Sequence, residues 1–166
     1  IDCFIAANMV GETGRVIGVD MTPDMINLAN ENKVKVGAGN VEFRLAQIDE
    51  TGIETDSVDV IISNCVIVLA PDKDAVFRES VRILRRGGRM HISDLMLTDE
   101  LPDYVSSDID NWTHCLAGAE LINVYINRMR ESGFSKVEIT SNVPYRGGSE
   151  EDWVSSIRSV NLLATN

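Results

Sequence analysis

The sequence predicts a doubly wound α/β fold, and three observations carry that prediction. Segments 15–20, 41–46, 58–64 and 89–94 are short and largely apolar, as strands covered on both faces must be. Between them lie stretches whose apolar residues recur at helical spacing. Glycine or proline marks the junctions, so strands and helices alternate and a parallel sheet with helices on its faces follows.

Residues 1–7 read as the first turns of a helix, and residues 15–20 as a strand. Thr22 then offers a side-chain cap to a helix with Pro23 at its first position and Asp24 in its first turn. Met25, Ile26, Leu28 and Ala29 share one face of that helix, and Gly37, Ala38 and Gly39 stop it before the strand 41–46. The pattern repeats with a strand over 58–64 and a helix over 72–86, in which Val76, Phe77, Ser80, Val81 and Leu84 point inward. Gly87 and Gly88 end this helix before the strand 89–94. Residues 97–118 turn polar and irregular, which predicts a lid or substrate loop. A helix over 120–132 closed by Gly133 leads to two last strands, 136–141 and 156–164, expected antiparallel at the sheet edge. The loop between them, with Gly147, Gly148, Glu150, Glu151 and Asp152, reads as a solvated turn.

With 166 residues and 44% hydrophobic content, the chain is expected to form a single domain with a substantial core. Fifteen basic against 26 acidic residues give a net charge of −11, which disfavours a nucleic-acid partner. The densest basic cluster, Arg82, Arg85, Arg86 and Arg89, falls at and beyond the end of the 72–86 helix, where it complements the helix dipole. No apolar run is long enough for a membrane span and no charged-then-apolar leader is visible, so a cytoplasmic protein without a membrane partner is expected. Three cysteines in such a compartment read as thiols rather than a disulfide framework.

Two of those thiols suggest a site. Residues 62–73 (ISNCVIVLAPDK) run from an apolar strand to a polar tip carrying Cys65 and on to a helix start. Cys115 lies downstream in 112–118 (WTHCLAG). In doubly wound sheets a ligand lies at the carboxyl ends of the strands, which is where Asp20 falls; its carboxylate offers two acceptor oxygens to the hydroxyls of an adenosine ribose. A glycine-rich turn should precede such an acid by about twenty residues, so that loop and its strand are expected before Ile1. An interrupted or rearranged sheet, or a strand borrowed from a second copy in a dimer, is the corresponding expectation.

These residues resemble the arsenite methyltransferases of the class I S-adenosylmethionine-dependent fold. The resemblance runs over most of the chain. It is carried by Asp20, Met21 and Thr22; by residues 63–67 with Pro71, Asp72 and Lys73 behind them; by residues 82–88 (RILRRGG); by Ser93 and Asp94; by Glu100, Leu101 and Pro102; and by residues 112–118. It implies that S-adenosylmethionine is the cofactor, with Asp20 and Met21 on its adenosine and Ile48 and Asp49 on its adenine. The family has an Ile-Glu pair at the latter place, so Asp49 sets the acceptor back by one methylene. Asn64 matches a backbone contact to the methionine end, and Asp2 matches the last residue of the glycine loop.

The resemblance also implies that Cys65 and Cys115 act as the catalytic thiols and hold trivalent arsenic, the substrate, which suits a soft centre. A third family cysteine has no match here. Cys3, beside Phe4 and Ile5, reads as a packed thiol, and a small cellular thiol, also expected as reductant, could fill the third position. His114, adjacent to Cys115, could favour its thiolate, whereas His91 lies inside a strand and reads as structural. The implied role is arsenite methylation in arsenic detoxification, by in-line displacement with little acid-base help. Two alternatives remain open at this point: a class I methyltransferase acting on another small molecule, with both cysteines as packing residues, and a fragment that binds ligand without turnover.

Overall fold

The computed structural model describes residues 1–106, 118–145 and 152–166. The chain divides into two compact units, Ile1–Gly52 and Ile53–Asn166. No helix among the described residues is long and apolar enough to cross a membrane.

The first unit contains α1 (Asp2–Val10), β1 (Val16–Asp20), α2 (Pro23–Val36) and β2 (Val41–Leu45). β1 and β2 pair in parallel, from Val16 opposite Val41 to Asp20 opposite Leu45, so this is the expected β-α-β unit. Pro23 opens α2, but the Thr22 side chain makes no capping bond. Instead the Thr22 backbone N–H donates to Asp20 Oδ1 at 2.8 Å, so the strand-end carboxylate fixes the turn into the helix. Gly37, at φ 67°, closes α2 in the left-handed conformation, and its N–H reaches the carbonyls of Lys33 and Val34.

Packing in this unit is local. Phe4 and Phe43 meet edge to face at 5.8 Å, and the Asn40 side chain donates to the carbonyls of Ala7 and Gly11, tying β2 to the end of α1. Gly18 leaves room for both layers: a Cβ there would lie 2.7 Å from the Phe43 ring and 3.0 Å from Cys3 Sγ. The expected inner face of α2 is not buried, and Met25 and Leu28 stand exposed. A sheet of two strands offers too little face to cover a fourteen-residue helix.

The second unit contains β3 (Val58–Asn64), a 3₁₀ turn (Ile67–Leu69), α3 (Lys73–Ile83), β4 (Leu84–Leu97), α4 (Asp103–Ser106), α5 (Ile122–Glu131) and β5 (Lys136–Pro144). A further 3₁₀ turn (Asp152–Ser156) and β6 (Ile157–Thr165) follow. The sheet order is β3-β4-β6-β5, with β3 and β4 parallel and β6 antiparallel to both its neighbours. The last two strands are antiparallel as expected, but only β5 lies at the edge. β6 sits inside the sheet because its Val160, Leu162 and Ala164 must be covered, and its ladder with β4 runs from Leu97 opposite Ile157 to Arg89 opposite Thr165.

α3 begins where expected, with the Asp72 carboxylate accepting from the Ala75 N–H at 2.9 Å. It ends three residues early, at Ile83, because Leu84 is already extended and Asn166 Nδ2 donates to the carbonyls of Val81 and Leu84. Arg85 and Arg86 therefore belong to β4, and only Arg82 of the basic cluster lies in the last helical turn. Arg82 grips both Glu79 oxygens and the Ile53 carbonyl, while Arg85 pairs with Asp59 at 2.7 Å.

Helices α3 and α5 pack together over the face of β4 that carries Met90 and Ile92. Phe77 and Tyr125 meet edge to face at 5.2 Å in a core that fully buries Leu84, Met96, Met129 and Val160. On the other face Val60 and Ile62 stand 44% and 51% exposed beside the exposed His91. Among the described residues the strands form two separate sheets, β1-β2 in the first unit and β3-β4-β6-β5 in the second.

Candidate functional site

In the first unit the candidate residues gather at the carboxyl end of two strands. Because β1 and β2 are parallel, the Asp20–Met21 corner and the tight turn bridged by Gln47 and Glu50, which carries Ile48 and Asp49, lie at the same end of the sheet. Asp20 is half-buried, Oδ1 is held by the Thr22 N–H, and the second oxygen takes no hydrogen bond among the described residues. This is a fixed carboxylate with one acceptor left for a ligand hydroxyl, and it fits an adenosine ribose. Met21 is exposed, Ile48 half-buried and Asp49 exposed, a mixed apolar and polar rim suited to a flat base. Asp2 is exposed in the first turn of α1.

In the second unit the polar tip of β3 carries Asn64 and Cys65, both exposed. Cys65 has φ 53°, a left-handed conformation that costs a non-glycine residue about 1–3 kcal/mol and is most often found at functional sites. Its N–H donates to the Ser93 carbonyl at 2.8 Å, so the thiol stands where the parallel ladder ends. Behind it the 3₁₀ turn is anchored by Ile67 and Val68, both fully buried.

Gly118, the last residue of the second cysteine motif, is buried against this turn: a Cβ on Gly118 would lie 2.0 Å from the Val68 carbonyl oxygen. The backbone of one motif thus touches the other three residues beyond Cys65. Trp112, His114 and Cys115 lie outside the described residues.

A buried polar group lies on β4 next to Ser93, whose carbonyl takes the Cys65 N–H. Asp94 is 1% exposed, and its Oδ2 accepts from Tyr125 Oη at 2.8 Å. Burial raises its pKa to about 6, against the opposing pull of Tyr125, the backbone N–H groups of Val68 and Cys65, and the Lys73 ammonium. Oδ1 has no hydrogen-bond partner at normal geometry among the described residues. Tyr125 is driven to a higher pKa by its own burial and by Asp94. Lys73 is buried as well, donates to the Ala70 carbonyl at 3.3 Å and lies 4.0 Å from Glu120; desolvation lowers its pKa, partly offset by that carboxylate. Glu120 in turn receives Arg128 at 2.9 Å, and Arg128 also binds Asp74 at 2.7 Å. Asp94 and Lys73 are legible in the sequence only as parts of the motifs that carry the resemblance, and Tyr125 gives no signal, being an ordinary position on a helix.

Cys3 is half-buried against Gly18, and burial raises its thiol pKa, the environment of a packing thiol. His91 is exposed on β4, away from Cys65 along the strand. No group of three or more His, Cys, Asp or Glu side chains suited to a metal ion occurs among the described residues.

Alternating strands and helices, an acid at the first strand end and a site at the carboxyl ends of parallel strands define a Rossmann-like, class I methyltransferase fold. Residues 1–154 match the family model of a methyltransferase domain. The chain is 51% identical to an arsenite methyltransferase of Halobacterium salinarum over 138 residues, 83% of this chain and 35% of that protein. It is 37% identical to an arsenite methyltransferase of Homo sapiens over 71% of this chain and 34% of that protein. The crystal structure of an arsenic(III) S-adenosylmethionine methyltransferase from Chlamydomonas reinhardtii superposes with a TM-score of 0.86 at 35% identity, covering 99% of this chain and 58% of that one. The chain belongs to the methyltransferase domain family, and its sequence places it with the arsenite methyltransferases of that family. It spans about a third of the length of the curated relatives from Halobacterium and human.

Proposed function

We propose that this chain is the catalytic part of an enzyme that transfers a methyl group from S-adenosylmethionine to trivalent arsenic. The observation that carries the reading is the β3 tip, where Cys65 stands in a left-handed conformation three residues before Val68, whose backbone lies against Gly118 at the end of the Cys115 motif. The names of the relatives support the same reaction.

In this proposal Asp20 holds the ribose through its remaining oxygen, Met21, Ile48 and Asp49 bound the adenosine, Asn64 meets the methionine end and Asp2 stands at the end of the glycine loop. When bound, the cofactor supplies a methyl group activated on a cationic sulfur. The thiolates of Cys65 and Cys115 hold arsenic as soft ligands for a soft centre, and a small cellular thiol supplies a third sulfur and the reducing equivalents. The chain's contribution is to fix the arsenic lone pair toward the methyl group, and orientation of this kind supplies up to about 7–11 kcal/mol of a barrier. A single methyltransferase domain over 1–166 with 97–118 as substrate loop, a cytoplasmic setting, arsenic detoxification and pairing of two copies through the interrupted sheet belong to the same proposal.

Arsenite titration in the presence of a small thiol, followed by Trp112 fluorescence, tests it. Tight binding lost in both Cys65→Ser and Cys115→Ser is expected; absence of binding in a chain whose circular dichroism is intact would move the assignment to another small-molecule acceptor. Asp20→Ala is expected to weaken S-adenosylhomocysteine by about tenfold or more, the loss of a charge-assisted hydrogen bond.

A further inference from the structure

We infer that Lys73 is a positioning residue for the proposed thiol site: its buried ammonium ties the turn that follows Cys65 to the segment in which the Cys115 motif ends. The inference rests on the proposal that Cys65 and Cys115 share one arsenic, and it concerns a residue that acts through others, since Lys73 is 6% exposed.

Nothing local favours a lysine at this place. Residue 73 is the first of α3, where the positive end of the helix dipole repels a cation, and its neighbours Asp72 and Asp74 carry the charge that suits this end. Burial adds a second cost, since an ammonium taken out of water needs partners to replace its hydration. Desolvation accordingly lowers the Lys73 pKa, and Glu120 opposes the shift. A side chain set against both the helix dipole and its own hydration is held by the groups around it.

Those groups lie on two sides of one junction. On the first side Lys73 Nζ donates to the Ala70 carbonyl at 3.3 Å. Ala70 ends the 3₁₀ turn, in which the N–H groups of Leu69 and Ala70 bond back to the carbonyls of Val66 and Ile67, directly after Cys65. On the second side the same Nζ lies 4.0 Å from Glu120 Oε1. The other Glu120 oxygen takes Arg128 Nε at 2.9 Å, and the Glu120 carbonyl takes the Leu97 N–H at 2.9 Å. Ala119 and Leu121, on either side of it, pack on the cluster of Leu95, Leu97 and Ile157. Gly118, two residues earlier, lies against the Val68 carbonyl. The junction is therefore closed at two points, by shape where Gly118 meets Val68 and by charge where Lys73 joins Ala70 to Glu120. A single contact would leave the two segments free to pivot, whereas two contacts set their relative direction. In the chain Cys65 stands five residues before Ala70, and Cys115 three residues before Gly118.

The test needs no arsenic. In the whole chain carrying Cys3→Ser, the equilibrium of a Cys65–Cys115 disulfide with reduced and oxidised glutathione measures the effective concentration of one thiol at the other. Lys73→Met keeps the unbranched side chain and removes the charge, and is expected to lower that concentration about tenfold. The urea midpoint of the same variant is expected to stay or rise, because a cation opposed by the helix dipole is gone and Glu120 keeps Arg128. Glu120→Gln, which leaves the bond from Lys73 to Ala70 in place, is expected to lower thiol pairing in the same direction, and it serves as the readout if Lys73→Met does not fold. Unchanged pairing in either folded variant overturns the inference and leaves the two-thiol reading standing. A midpoint that falls together with pairing in Lys73→Met marks a general structural role and overturns it as well. Thiols that do not pair in the parent chain remove both the inference and the reading beneath it.

Discussion

Both units set parallel strands beside helices, yet they hold themselves together by different means. In Ile53–Asn166 the helices bury Phe77, Met129 and Tyr125 against Leu84, Met96 and Val160. In Ile1–Gly52 the buried apolar side chains are Ala7 and Val41, while Leu28 stands 48% exposed and Val34 81% exposed. Specific hydrogen bonds, from Asn40 to α1 and from Thr22 to Asp20, do there what apolar burial does in the larger unit. Hydrophobic stabilisation scales with buried area, whereas one hydrogen bond contributes only about 1 kcal/mol net. The contrast shows how one chain divides labour: the strand-end acid Asp20 sits on a lightly packed frame, and the Cys65 thiol sits on a heavily packed one.

The largest effect should come from the core of the second unit. Phe77→Ala is expected to cost about 3–5 kcal/mol by urea denaturation, because it empties a fully buried site against Tyr125. Leu28→Ala on the exposed face of α2 is expected to stay within about 0.5 kcal/mol. Equal losses at the two sites would erase the contrast.

Acidity should come next. The pKa of Asp94 is raised from 3.8 to about 6 in the fold, so the folded state takes up its proton more readily than the unfolded state. Its contribution is fully present below the unfolded value and is lost as pH rises through about 6, by up to about 3 kcal/mol. Urea midpoints measured across this window should fall with rising pH in the parent and flatten in Asp94→Asn. A slope that persists in that variant would assign the dependence to another group.

The smallest expected change sharpens the view of the first unit. Gly18→Ala brings a methyl group to 2.7 Å from the Phe43 ring and 3.0 Å from Cys3 Sγ. Overpacking of this kind costs about 1–3 kcal/mol where neighbours cannot yield. A loss at the lower end is expected from thermal melts, since Phe43 is only half-buried and its ring has somewhere to go.

What the sequence determined by itself was whatever local chemistry decides. Pro23 and Gly37 bound α2, Asp72 caps α3 and the run 58–64 makes β3, because helix ends and strand runs depend on neighbours a few residues away. Asp20 at the end of β1 and Cys65 at the tip of β3 stand where the sequence put them, since strand ends are set by local pattern. Tertiary structure alone decided the rest. Asn166, from the far end of the chain, stops α3 at Ile83 and hands Arg85 and Arg86 to β4. The ladder with β4 draws β6 inside the sheet. Tyr125, 31 residues from Asp94, gives the buried aspartate of β4 its hydrogen-bond partner. Each of these joins partners distant in sequence, and a hydrogen bond or a covered face between distant residues leaves no periodic trace in the chain that makes it.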